Sequence, residues 1–144
     1  MNYLDSLYWI HERSKFGIKP GVKRMEWMLE QFNNPQDKIR GIHVGGTNGK
    51  GSTVAYLRTA LVENGYDVGT FTSPFIESFN ERISLNGTPI TNDEIVDLVE
   101  RVKPVSEALE NETELGGATE FEIITTMMFP VSYTHLTLPT IYSV

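Results

Sequence analysis

An apolar run ending at Val44 passes into Gly45-Gly46-Thr47-Asn48-Gly49-Lys50-Gly51-Ser52-Thr53, and a helical pattern follows over residues 52–64. Strand, glycine turn with a lysine, then helix is an order that few folds accommodate. The backbone N–H groups of such a turn and the positive end of the helix favour an anion, and the lysine adds a full charge. Glycine at 46, 49 and 51 permits positive φ and close backbone approach to phosphate. Lys50 is expected to reach the β/γ oxygens of a nucleotide, and Ser52 or Thr53 to turn a hydroxyl toward Mg2+. The candidate nucleotide set is Gly46, Thr47, Asn48, Gly49, Lys50, Gly51, Ser52 and Thr53. The spacing departs from the standard P-loop: Gly51 separates Lys50 from Ser52, and Val44 stands where the first glycine belongs. A purely structural turn is the alternative, but it gives no reason for Lys50 and Ser52.

The chain has 144 residues, 40% of them hydrophobic, enough for one domain with a core. It has no cysteine, which excludes disulfides and thiolate metal sites. The first residues lack a basic and an apolar leader segment, and no apolar run reaches the length of a membrane span, so the cytoplasm is the expected compartment. The net charge of −7 is concentrated. Residues 91–122 hold ten acids against Arg101 and Lys103, and the remainder is near neutral. This argues against nucleic acid as a partner, where a basic stripe is expected. The acidic stretch reads as a solvated helix face.

Residues 3–13 read as an amphipathic helix, and Val22, Met25, Met28, Leu29 and Phe32 make a second stripe. Residues 39–44 read as a short strand whose weak alternation fits burial on both faces, with His43 packed inside. A helix over 52–64 is closed by Gly65, and residues 67–72 read as a second strand. Arg82 to Leu85, Asn86-Gly87 and Thr88 to Ile90 predict a β-hairpin, because Asn-Gly favours a primed turn. Thr91 and Glu94 form a capping-box pattern before a helix that Pro104 is expected to kink or end. Gly116-Gly117 breaks the chain, and residues 119–129 restart an apolar helix. The order implies an α/β fold with a parallel sheet and a small hairpin.

Residues 130–144 contain no Asp, Glu, Lys or Arg. The string Ser132-Tyr133-Thr134-His135-Leu136-Thr137-Leu138-Pro139-Thr140 resembles translated sequencing-adapter read-through, so the native sequence is expected to stop near Phe129. A strand pair divided at Pro139 is the alternative, with His135 as a tempting but discounted ligand.

Four motifs in order resemble the ATP-dependent folylpolyglutamate synthase/dihydrofolate synthase family, which belongs with the peptidoglycan amino-acid (Mur-type) ligases. They are the loop Gly46-Thr47-Asn48-Gly49-Lys50-Gly51-Ser52, the stretch Lys15-Phe16-Gly17-Ile18-Lys19-Pro20-Gly21, the pair Thr72-Ser73-Pro74-Phe75 and Asn80-Glu81-Arg82-Ile83, and Thr119-Glu120-Phe121-Glu122. The resemblance covers residues 1–129. It implies the N-terminal part of a P-loop ATP-binding domain like the Mur-ligase central domain, incomplete here. It implies an amide ligase that uses ATP and Mg2+ to join L-glutamate to a folate or to dihydropteroate through an acyl phosphate. The full-length protein is expected to be a monomer.

The resemblance assigns Ser73 and Glu122 to the metal, and Phe16, Gly17, Ile18, Lys19, Thr72 and Arg82 to the substrate. No catalytic acid, base or nucleophile is assigned. Each residue has a plainer role open to it. Ser73 can serve as a turn former before Pro74, Glu122 can lie on an exposed helix face, and Arg82 can make an ordinary ion pair. The basic stretch Arg13, Lys15, Lys19, Lys23 and Arg24 can attract a polyanionic tail or simply be solvated. Trp9 and Trp27 read as packing, and His11 as surface or core edge. The family's third metal ligand, adenine contacts and glutamate domain fall beyond residue 129, so the chain alone is expected to be inactive. A peptidoglycan ligase or a non-catalytic nucleotide-binding module are the alternatives.

Overall fold

The computed structural model describes residues 1–73, 75, 77–135 and 140–143. In chain order the elements are α1 (Tyr3–Glu12), α2 (Lys23–Glu30), β1 (Gly41–Val44), α3 (Lys50–Glu63), β2 (Gly69–Phe71), β3 (Ile83–Leu85), β4 (Thr88–Pro89), α4 (Asn92–Glu112), α5 (Glu120–His135) and β5 (Thr140–Ser143). Short 3-10 turns lie at Arg13–Phe16, Pro35–Lys38 and Phe79–Arg82. The α/β content is as expected. The chain forms two compact units, residues 1–36 with 92–130 and residues 37–91 with 131–144.

The first unit is helical. Asn2 opens α1 with a capping box: its side chain accepts from the Asp5 amide at 2.8 Å, and the Asp5 carboxylate accepts from the Asn2 amide at 3.3 Å. In α4, Ile95, Leu98, Val99, Val102 and Leu109 are buried at helical spacing, while Asp93, Asp97, Glu100, Glu107, Glu110 and Glu112 are exposed. The acidic stretch is therefore largely a solvated face, as read. Pro104 lies inside α4 without ending it, because the packed stripe on either side outweighs the one hydrogen bond that proline removes. Fully buried Ile10, Met28, Ile123, Ile124 and Met127 belong to this unit's core.

The second unit carries a five-stranded sheet in the order β1-β5-β2-β3-β4. β5 is parallel to both neighbours, with Thr140 opposite Gly41 and Gly69. The β2–β3 and β3–β4 pairs are antiparallel. Val54 of α3 and Val68 are buried together, with Val44, Leu57, Leu61 and Val62 packed around them. This small cluster seats α3 on the sheet.

The burial of β1, the packing of His43 and the end of the last helix need correction. β1 is an edge strand of the described sheet, and Gly41, Ile42 and His43 are exposed, so its weak alternation does not reflect burial on both faces. His43 is not packed inside. The apolar helix continues past Phe129 to His135. Residues 140–143 make a single central strand; Leu136 to Pro139 and Val144, the rest of the divided strand pair, lie outside the described residues.

The hairpin is present. Asn86 and Gly87 have φ of 50° and 86°, the positive pair a primed turn requires. Asn86 does more than turn the chain. Its amide donates to the Val68 carbonyl at 2.7 Å, and its side-chain oxygen accepts from the Val68 amide at 2.6 Å. Asn86→Ala leaves that amide without its acceptor at a fully buried residue. The expected loss is about 1–3 kcal/mol, read as a lower urea midpoint; an unchanged midpoint would show that the turn backbone alone holds the hairpin.

Candidate functional site

The glycine loop emerges from β1 and ends at the start of α3. Gly46 has φ of 149° and Gly49, the residue capping α3, has φ of 75°. Both are conformations that glycine adopts most easily. Gly51 differs: its φ is not positive, and a β-carbon there would meet nothing within 4 Å. The expectation that Gly51 supplies an unusual backbone angle is not met, because position 51 already lies in the first helical turn. The first α3 hydrogen bond runs from the Thr53 amide to the Gly49 carbonyl at 3.0 Å. The amides of Lys50, Gly51 and Ser52 therefore stand at the open, positive end of the helix.

Thr47, Asn48, Gly49, Lys50 and Gly51 line a cleft of about 760 Å³ together with Thr72 and Ser73. Of the expected nucleotide set, Gly46, Ser52 and Thr53 do not line it. The Thr53 hydroxyl instead donates to the Gly49 carbonyl at 2.9 Å. Lys50 is half-buried and folds its ammonium onto the Gly46 carbonyl of its own loop. Among the described residues, a bound anion would compete for that ammonium with a neutral carbonyl. Thr72 is joined to Arg82 through the backbone, its amide donating to the Arg82 carbonyl at 3.0 Å. Arg82 in turn donates from Nη2 to the Ser73 hydroxyl at 3.2 Å. Pro74, inside the same motif, lies outside the described residues. Asn80 and Glu81 are structural: Asn80 donates to the Ile90 carbonyl at 2.8 Å, and Glu81 accepts from the Ser78 amide in a capping box.

Glu122 belongs to the helical unit and is 5% exposed. The exposed-face alternative is overturned. Arg24 Nε donates to both carboxylate oxygens at 3.0 Å, and Nη2 donates to Oε1 at 2.8 Å. The Thr119 amide donates to Oε2 at 3.0 Å, while the Glu122 amide donates to the Thr119 hydroxyl at 3.2 Å. Thr119 and Glu122 are thus a capping box for α5. The bond to Glu122 holds the Arg24 guanidinium above its usual pKa, against the opposing effect of burial.

The substrate-side loop over residues 15–21 lies in the same unit. Gly17 has φ of 64°, and Ile18 is fully exposed at its tip. Phe16 is half-buried among Arg13, Lys15 and Lys19, whose charges lie 4.8–5.3 Å from the ring centre. Lys19 donates to the Gly117 carbonyl at 2.9 Å. Arg13 is buried and also stacks on Trp9, itself a core residue. Of the five cations read as one solvated stretch, Arg13 and Arg24 are therefore internal. His11 lies on the surface, 2.9 Å from Glu120. Arg24 escaped the sequence reading as a site residue. No local signal pointed to it, because its partner Glu122 lies 98 residues away in sequence.

No protein-family model matches the chain. Among curated proteins it is 56% identical over 127 residues to the dihydrofolate synthase/folylpolyglutamate synthase of Bacillus subtilis, covering 88% of this chain and 29% of that protein. Among solved structures it is similar to the folylpolyglutamate synthase of Thermotoga maritima, with a TM-score of 0.88 and 32% identity over 99% of this chain and 32% of that one. It is also similar to an FPGS–AMPPCP–folate complex, with a TM-score of 0.85 and 32% identity over 100% of this chain and 35% of the other. The chain thus spans about a third of the length of the proteins it matches.

Replacing one partner of the buried pair strands the other. Glu122→Leu or Arg24→Met is expected to lower stability by about 3–5 kcal/mol, and the double replacement to regain most of that loss. Chemical denaturation of the three variants checks this. If the double variant shows the sum of the single losses, the two groups do not act as a pair.

Proposed function

This chain belongs to the dihydrofolate synthase/folylpolyglutamate synthase family, and on that premise we propose that its glycine loop is the phosphate site of an ATP-dependent amide ligase. The observation that carries this reading is the loop geometry. Gly46 and Gly49 hold positive φ, the helix-start amides lack intrahelical acceptors, and among the described residues Lys50 donates to a neutral carbonyl. Thr47 to Gly51 line one face of a cleft large enough for a nucleotide.

In the whole enzyme the substrate carboxylate oxygen attacks the γ-phosphorus of ATP, giving an acyl phosphate and ADP. The amine of L-glutamate then attacks the acyl carbon, loses a proton, and phosphate departs with the broken C–O bond. The role of this chain is to hold anions close together and offset their charge. Lys50 and the loop amides take the phosphates. Thr72 lines the cleft with the loop, and Arg82, bonded to Ser73, would meet a substrate carboxylate from there. The residues 15–21 and a folate or dihydropteroate complete the proposal.

Mg2+ belongs to the same proposal, with Ser73 and Glu122 as candidate ligands. When bound with a nucleotide it supplies charge neutralisation at the phosphate oxygens. In the arrangement seen, Arg24 and Thr119 hold the Glu122 oxygens, and Arg82 donates to the Ser73 hydroxyl. A cation at Glu122 competes with Arg24 for the carboxylate, whereas the Ser73 oxygen keeps a second lone pair. Among the described residues no cluster of three His, Asp or Glu could hold a metal.

We further propose that residues 130–144 are not native sequence, on their lack of charged Asp, Glu, Lys or Arg and on the 127-residue extent of the match to the Bacillus protein. A genomic reading that runs through residues 130–144 to a stop codon would overturn that.

Lys50→Met is expected to weaken AMPPCP binding to the chain by at least about tenfold, the equivalent of about 1.4 kcal/mol. Titration calorimetry checks it; equal affinity in the variant and the parent would remove the loop from the phosphate site. The chain alone is expected to give no folate- and glutamate-dependent ADP release, since it spans about 29% of the Bacillus protein. Detectable release would contradict that.

A further inference from the structure

A guanidinium holds its donors in one rigid plane, so it can join groups that would otherwise move independently. Arg24 does this inside the helical unit. Nε and Nη2 engage the Glu122 carboxylate at 2.8–3.0 Å, and Nη2 also donates to the Lys19 carbonyl at 3.2 Å and the Pro20 carbonyl at 3.4 Å. Its side chain is 11% exposed and that of Glu122 7%. Two further contacts pin the same loop to the segment leading into α5. Lys19 Nζ donates to the Gly117 carbonyl, and the Phe16 ring occupies the space that a β-carbon on Gly117 would need. Those contacts reach only as far as Gly117. Arg24 alone among them reaches the carboxylate.

We propose that Arg24 is a positioning residue that couples the order of the 15–21 loop to the state of Glu122. Three N–H groups hold the Glu122 carboxylate: Arg24 Nε shared between both oxygens, Arg24 Nη2 on Oε1 and the Thr119 amide on Oε2. A newcomer on the arginine side of the carboxylate competes with the guanidinium. Anything that takes the carboxylate pulls Arg24 off it and loosens the loop carbonyls. Anything that moves Lys19 and Pro20 shifts the guanidinium and opens the carboxylate. The relevance of this coupling to ligation rests on the function proposed above. The bridge itself is independent of nucleotide and metal.

The test is amide hydrogen exchange by mass spectrometry on the 144-residue chain, without nucleotide or metal, for Arg24→Lys, Arg24→Met and Glu122→Gln. Lysine keeps the charge for Glu122 but lacks the fork that also reaches the loop carbonyls. Arg24→Lys is therefore expected to recover most of the melting temperature lost in Arg24→Met, while exchange over residues 15–24 stays at least about tenfold faster than in the parent. Glu122→Gln is expected to speed the same peptide, with α4 exchange unchanged. If Arg24→Lys restores loop protection together with the melting temperature, or if Glu122→Gln leaves the loop at the parent rate, Arg24 is only a packing and charge partner and the proposal falls. AMPPCP binding at the glycine loop is read separately, so either result can stand without the other.

Discussion

A carboxylate carried into an apolar interior has to be met by donors, and the helical unit is built around how Glu122 meets that demand. Thr119 and Glu122 close the start of α5 on themselves, and the carboxylate lies buried there. Once inside, it needs a cation, and Arg24 on α2 supplies one. The same guanidinium then takes up carbonyls of the preceding loop. One helix cap thus sets the start of α5, the rotamer of an arginine on α2 and the path of the chain between α1 and α2.

The sheet unit follows a different rule. Its loop is shaped by backbone angles rather than by a buried charge. Positive φ at Gly46 and Gly49 turns the chain from β1 into α3 and leaves three amides at the helix start without intrahelical acceptors. The Val54 and Val68 cluster holds α3 against the sheet, so the loop is presented from a fixed base. Neither unit uses its charged residues in the way a plain inventory of charges would suggest. Arg13 and Arg24 are internal, while the acids of α4 face water.

Much of the local structure was legible, because its causes are local. The Asn86-Gly87 hairpin, the glycine after α3 and the helix begun after Thr91 follow from turn and capping chemistry within a few residues. The loop between β1 and α3 was legible for the same reason. What escaped depended on partners distant in sequence. His43 and Ile42 look like core residues in a strand, yet β1 lies at the sheet edge, and edge position is a property of pairing order. Phe121 and Glu122 are reversed from the usual expectation, the aromatic 48% exposed and the acid buried. That reversal depends on Arg24, 98 residues away, and no local pattern carries it. Gly51 is the reverse case: it helped identify the family, but no backbone angle requires it.

β1 has β5 as its sheet neighbour, and β5 in turn lies against β2. Val44, the last residue before the glycine loop, is paired with Ser143, close to the far end of the chain. The inner edge of a parallel sheet is recognised through N–H and C=O groups, which every residue but proline offers alike. The sheet-side anchor of the loop is thus a row of backbone groups shared with a strand from the far end of the chain. The most distinctive stretch of the sequence hangs from a pairing made by main-chain atoms.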